Sequence, residues 1–188
     1  MQPAKKQVTW DEMLALEVET GLRHEFQDGA AVAMAGGSIA HAWLQGTVRD
    51  ELKRLATPRG CQVFPSDLRL WIPAIGRSTY ADASLFCDPD ADDARQALLN
   101  PTVLVEVLSP STKDYDRGDK FQAYRTLASL RHVLFVDSTR VAVTHAWRES
   151  DRWGLRDHVA GDVLELAPFG ELTVDALYEG WKAPASDE

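Results

Sequence analysis

The sequence predicts a mixed α/β domain of the α+β kind, with a mixed central sheet flanked by helices. Three observations predict it. Helix signals with clear caps alternate along the chain with short strand-like apolar runs. The length of 188 residues fits one domain. A hydrophobic share of 45% with 26% charged residues matches an ordinary globular core and excludes disorder, collagen and coiled coil. One domain over residues 1–188 is expected, its core at about 8–181 and its ends frayed.

Thr9-Trp10-Asp11-Glu12 fits a capping box, in which the Thr hydroxyl and the Glu carboxylate satisfy free amides, so a helix starts here and ends near Gly21. Asp28-Gly29 between two short apolar runs reads as a hairpin turn. Ser38 caps a long helix to about Leu55, with His41, Leu44, Val48, Leu52 and Leu55 on one face, and Pro58 and Gly60 end it. Three strand-like runs follow: CQVFPSDLRLWI, YADASLFC and PTVLVEVLSP. Between the last two, residues 88–100 read as a solvated loop. An EF-hand would need Gly at 93 and Glu at 99, and finds Asp93 and Leu99. After Ser109-Pro110-Ser111-Thr112 a helix is expected to about Ala128. RHVLFVD, RVAVTHAW and DRWGLRDHV then read as strands. A short helix near 174–181 and a frayed acidic tail end the chain.

Composition narrows the function. A net charge of −9 disfavours a general nucleic-acid coat or a binder of anionic membranes, without excluding a narrow basic cleft. No stretch approaches the length of a membrane-spanning helix, and the start lacks an apolar signal-peptide core, so a cytoplasmic protein is expected. Cys61 and Cys87 are too few and too isolated for a disulfide framework or a cysteine-ligated zinc site, and read as two buried, reduced thiols. No HExxH motif, GxSxG elbow, Walker loop or dinucleotide fingerprint is present.

Three places in the chain stand out chemically. Glu106 lies in Val103-Leu104-Val105-Glu106-Val107-Leu108, a run apolar on both faces, where an ionised carboxylate must be paired or bound to a cation. Asp82 is the only charge in the small, apolar run from Tyr80 to Cys87. Two such carboxylates at one sheet end suit Mg²⁺ or Mn²⁺. On the helix after Thr112, Phe121, Tyr124 and Ala128 form an apolar stripe. At about 100° per residue, Lys120 falls about 40° and Arg117 about 20° from Tyr124, both on the inward side. A lysine aimed at a carboxylate centre would resolve that conflict, as would an aliphatic stem that carries its ammonium out to water.

These residues also carry a resemblance. NPTVLVEVLSPSTKDYDRGDKFQAYRTLASLRHVLFVD resembles the signature region of the Uma-type restriction endonuclease family, part of the PD-(D/E)XK nuclease superfamily and formerly a domain of unknown function. HEFQDGAAVAMAGGSIAH resembles its amino-terminal block, and SDLRLWIP leading to YADASLF its central one, so the likeness runs from about Val8 to Trp181.

The resemblance implies a restriction-endonuclease-like core with a metal-dependent phosphodiesterase site. Asp82 matches the Asp of the PD element and Glu106 the acidic residue of (D/E)XK. Ala81 stands where the Pro is expected and Leu108 where the Lys is, so Lys120 is expected to supply the ammonium, with Lys113 in reserve. Glu25 would add a third acidic group, and His41 and Tyr124 would support the site. Mg²⁺ (or Mn²⁺) would be held by Asp82, Glu106 and the Val107 carbonyl, with Arg117 and Lys113 on phosphates. The implied reaction is hydrolysis of nucleic-acid phosphodiester bonds, DNA before RNA, by a homodimer. A nuclease fold used for binding or regulation without cleavage is the alternative.

Overall fold

The computed structural model describes residues 7–34 and 36–184, so the acidic tail lies outside the described residues beyond 184. Helix α1 spans Trp10–Thr20 behind the expected capping box, and Gly21, left-handed at φ 67°, closes it. Strands β1 (His24–Gln27) and β2 (Ala30–Ala33) pair as a hairpin. Asp28 and Gly29 both take positive φ, 49° and 74°, which this two-residue turn requires. Ser38 caps helix α2 (Ile39–Ala56), whose stripe of Leu44, Val48, Leu52 and Leu55 is buried.

Two of the expected strands are each two strands. The run 61–72 divides into β3 (Gln62–Pro65) and β4 (Arg69–Ile72). The YADASLFC run is cut at Ala81-Asp82, between β5 (Arg77–Tyr80) and β6 (Ala83–Phe86). The residues 88–100 form a small hairpin, β7 (Ala91–Asp92) with β8 (Ala97–Leu98), stapled by an Asp92–Arg95 pair at 2.7 Å. Strand β9 is Val103–Leu108, buried along its whole length.

The next helix is broken up. It runs as α3 (Lys113–Tyr115), a π-turn over Asp116–Lys120, and α4 (Phe121–Arg125), stopping short of Ala128. Strands β10 (His132–Asp137), β11 (Ala142–Glu149) and β12 (Arg152–Val159) follow as expected. A hairpin of β13 (Val163–Leu166) and β14 (Gly170–Thr173), which the sequence did not announce, precedes a helix α5 of only Val174–Leu177.

The fold is of the expected mixed α+β class, with two mixed six-stranded sheets and flanking helices. One has the order β2-β1-β5-β4-β8-β7 and the other β12-β11-β10-β9-β6-β3, with β9 and β10 parallel. The chain crosses between the two sheets several times, and one crossing from the first to the second falls at Ala81-Asp82. The second sheet is covered on both faces, as a doubly buried strand like β9 requires. Val103, Val105 and Val107 face α2, α5 and the last hairpin, while Leu104 and Leu108 face α4 and the first sheet. By the two-residue period of a strand, Glu106 shares the face of Leu104 and Leu108.

Strands β10, β11 and β12 also bring together three buried histidines. His132 Nδ1 lies 3.0 Å from His145 Nε2, and the His158 ring is 6.2 Å from that of His145. Cys61 and Cys87 are not reduced, buried thiols: they are half-buried and joined in a disulfide across the β3–β6 pair. The register brings their neighbours Gln62 and Phe86 opposite each other, a proximity that a separation of 26 residues does not disclose. Among the described residues no helix is long and apolar enough to cross a membrane.

Candidate active site

Asp82 sits between β5 and β6 where the chain changes sheets, and its amide donates to the Val105 carbonyl of β9 at 3.0 Å. One carboxylate oxygen accepts the Val107 N–H at 2.6 Å, the other accepts the Gln45 side-chain amide, and His41 Nε2 stands 3.4 Å away. Burial pushes Asp82 up, but His41, Lys120 and the Val107 amide outweigh it and hold the carboxyl below its usual range. His41 answers in kind. Burial lowers it, and the Asp82 bond and charge more than restore it, leaving it above 6.5.

Glu106 is 2% exposed, and both of its oxygens are engaged. Lys120 Nζ donates to Oε2 at 2.9 Å and the Tyr124 hydroxyl donates to Oε1. Burial drives its pKa well above the ordinary glutamate value, and the charges of Asp116 and Asp82 add to this against the pull of Lys120. The Lys120 ammonium also donates to the Tyr80 carbonyl at 2.9 Å, and lies 3.6 Å from both Glu25 and Asp116. Burial favours its neutral form, but Glu106, Glu25 and Asp116 hold it protonated well beyond the usual lysine range.

Glu25 belongs to this cluster rather than to the surface. It is 6% exposed and accepts bonds from Gln27 at 2.7 Å, the Tyr115 hydroxyl at 2.8 Å and the Thr79 hydroxyl. Five of the expected residues therefore meet: Asp82, Glu106, Lys120, Glu25 and His41, with Tyr124 as the hydroxyl partner of Glu106.

The structure corrects the inward placement of Arg117. Its side chain is exposed and donates to the Thr144 hydroxyl at 2.9 Å. The reason is the π-turn, whose wider winding invalidates α-helical angles across residues 116–120. Lys113 is exposed as well, and both line a surface cavity rather than the carboxylate cluster.

Sequence reasoning missed Asp116, 5% exposed, although its position four residues before Lys120 is the ordinary spacing of helical neighbours. Gln45, four after His41 on α2, carries the same signal. Tyr115 and Thr79 carried none.

Four carboxylates thus face one lysine and one histidine. Among the described residues, no three His, Cys, Asp or Glu are grouped as ready-made metal ligands. The donor chemistry nonetheless fits Mg²⁺, which binds through one or two carboxylates and keeps several waters. Burial raises Glu106 most, and the smaller part that Asp116 and Asp82 add is what a bound cation, in place of a proton, would relieve.

Comparison with known proteins bears on the family and the fold. Two Synechocystis proteins are similar along most of their length. "Uncharacterized protein slr1290" is 34% identical over 90% of this chain and 90% of its own length. "Uncharacterized protein sll1609" is 30% identical over 86% of this chain and 92% of its own. The crystal structure of a "putative nuclease belonging to DUF820" from Anabaena variabilis superposes with a TM-score of 0.75. It covers 93% of this chain and 99% of that one, and at 18% identity the likeness is one of fold. The model of the family Uma2, described as "Putative restriction endonuclease", matches residues 10–177. The chain belongs to the Uma2 restriction endonuclease family.

Proposed function

We propose that the protein is a metal-dependent endonuclease that hydrolyses phosphodiester bonds of DNA, with Asp82, Glu106 and Lys120 at its centre and Glu25 beside them. One observation carries the reading: a lysine from the helix stands 2.9 Å from Glu106, in the chemical role that Leu108 leaves empty.

Asp82 and Glu106, with the Val107 carbonyl, would hold Mg²⁺ or Mn²⁺. Such an ion, when bound, polarises a phosphate oxygen and lowers the pKa of an attacking water. The rest falls to the chain. Lys120, kept protonated by its carboxylate neighbours, orients the water and meets charge developing on phosphate oxygens. His41 and the Val107 amide fix the direction of the Asp82 carboxylate. Tyr124 fixes Glu106, and Tyr115 ties Glu25 to the helix. Arg117 and Lys113, exposed outside the cluster, meet neighbouring phosphates.

Incubation of plasmid and oligonucleotide DNA with Mg²⁺ tests this. Wild type should cut, while Asp82→Asn, Glu106→Gln and Lys120→Met should not. Mg²⁺ should also raise the melting temperature of wild type more than that of Asp82→Asn. Binding without any cleavage would instead favour a regulatory module, a reading that the full internal engagement of the Glu106 oxygens supports. The proposal includes a homodimer, so that two sites address two strands. Ile39 and Trp43, 91% and 51% exposed one turn apart on α2, offer an apolar contact beside His41. Light scattering that reports only a 20.9 kDa species would remove the dimer.

A further inference from the structure

A cavity of about 160 Å³ opens at the carboxyl ends of β9 and β10, lined by Ser109, Lys113, Arg117, Asp137, Thr139 and Arg140 among others. Leu108 and Asp137, the last residues of the two parallel strands, stand opposite each other, and Ser138 N–H closes the gap onto the Leu108 carbonyl at 3.1 Å. The crevice outside the carboxyl ends of parallel strands is where such sheets place ligands.

The lining selects an anion. Three cations face one carboxylate, in a chain whose net charge is −9. That carboxylate is occupied: Asp137 accepts the Thr139 amide at 2.9 Å, its hydroxyl at 2.7 Å and Arg140 Nε at 3.2 Å. These bonds fix the loop that carries Arg140 and leave both terminal NH₂ groups of its guanidinium for a ligand. Arg117 uses one nitrogen on Thr144, and Lys113 has no ion pair among the described residues. Two arginine forks, an ammonium and the hydroxyls of Ser109 and Thr139 suit a phosphoryl group. The volume falls below the range of about 300–1,000 Å³ usual for whole small molecules, which fits one small anionic group.

We infer that this cavity is a phosphoryl subsite, which takes a phosphate of the nucleic-acid strand next to the bond being cut. The inference rests on the nuclease reading above. Leu108 lies on the Glu106 face of β9, roughly 7 Å further along the strand, so the subsite serves a neighbouring phosphate rather than the reacting one.

The test uses the full chain in a Glu106→Gln background, so that the strand stays whole, with Arg140→Gln or Lys113→Gln added. The probes are a fluorescent oligonucleotide, with or without a 5′-phosphate, and inorganic phosphate in thermal melts. Each substitution should lower the slope of log affinity against log salt by about 1, equally for all sequences. Each should also abolish the stabilisation by inorganic phosphate. A 5′-phosphate preference lost in Arg140→Gln supports the subsite and makes its ligand a strand end; the same slope loss without that preference supports it with an internal phosphodiester. Unchanged slopes and an unchanged phosphate response, with wild type still cutting DNA, overturn the subsite alone. A wild type that neither binds nor cuts oligonucleotides, yet gains stability from phosphate through Arg140, overturns the nuclease reading and the nucleic-acid assignment with it.

Discussion

The Lys120 ammonium stands 2.9 Å from Oε2 of Glu106, although one residue ends a π-turn and the other lies inside a central strand. The pair is nearly dry: the side chains are 8% and 3% exposed. It is also unequal. Lys120 has two further carboxylates at 3.6 Å, whereas Glu106 has one cation.

That inequality predicts opposite costs for the two deletions. Lys120→Met leaves Glu106, Glu25 and Asp116 without their shared counter-charge, so stability at pH 8 should fall by about 3 kcal/mol. The loss should shrink as pH falls, because the raised pKa of Glu106 lets it take up a proton sooner than an ordinary glutamate. Cleavage should fall roughly 100-fold or more, as when other preorganised charge donors are removed. Urea unfolding as a function of pH and a cleavage assay check this; a stable, fully active variant would remove Lys120 from the site.

Glu106→Gln should be mild by comparison. Lys120 keeps Glu25, Asp116 and the Tyr80 carbonyl, so metal-free stability should change by less than about 1 kcal/mol. Mg²⁺ should stabilise wild type by mass action and the variant much less. Thermal melts with and without Mg²⁺ decide. A large loss independent of metal would make Glu106 a structural salt-bridge partner.

His41 predicts a pH dependence. Its folded pKa is raised, so the folded state binds its proton more tightly, and its contribution to stability is fully present below 6.5 and lost as pH rises through the folded value. The stability gap between wild type and His41→Gln should therefore be widest near pH 6 and narrow toward pH 9. A gap constant across that range would show that the Asp82 contact does not depend on charge.

The histidine stack predicts the reverse sign. Burial, with the neighbouring His132 and His158, lowers His145 to about 3, so the unfolded chain takes up its proton first as pH falls below 6.5. By pH 5 this one group should cost about 2 kcal/mol. His145→Phe should flatten stability between pH 6.5 and 5, and denaturant midpoints across that range measure it. An unchanged slope would assign acid sensitivity elsewhere.

The Cys61–Cys87 disulfide closes a loop over a separation of 26 residues, which on chain-entropy grounds contributes about 3 kcal/mol. Dithiothreitol, or Cys61→Ser with Cys87→Ser, should lower the denaturation midpoint accordingly. Thiol titration of the denatured, unreduced protein should find none free.

Much of this was legible because its causes are local. The Thr9 and Ser38 caps, the Asp28-Gly29 turn and the doubly apolar β9 each follow from residues within a few positions of one another. Glu106 and Asp82 were legible because a charge in an apolar strand must be answered somewhere. What escaped reading depends on distant register or irregular winding. Cys61 meets Cys87 only through the β3–β6 pairing. The outward turn of Arg117 comes from the π-turn, and the burial of Glu25 from Tyr115 and Thr79, both more than fifty positions away. The cut at Ala81-Asp82 escaped because Asp82 offers its carboxylate, rather than a strand register, to the Val107 amide.

That cut makes the distance between the sheets a chemical variable. Lys120 grips the carbonyl of Tyr80, the last residue of β5 in one sheet, while Asp82, two residues later, grips the amide of Val107 in the other. Splaying of the sheets would set the bond of Lys120 to Tyr80 against its bond to Glu106 on the second sheet, and so disturb the place of the ammonium beside the carboxylates. Turnover should therefore act as a strain gauge for the whole domain. A substitution in the core shared by the two sheets, such as Ile72→Val in the cluster that also holds Leu104, should slow cleavage at temperatures where the backbone is still fully folded.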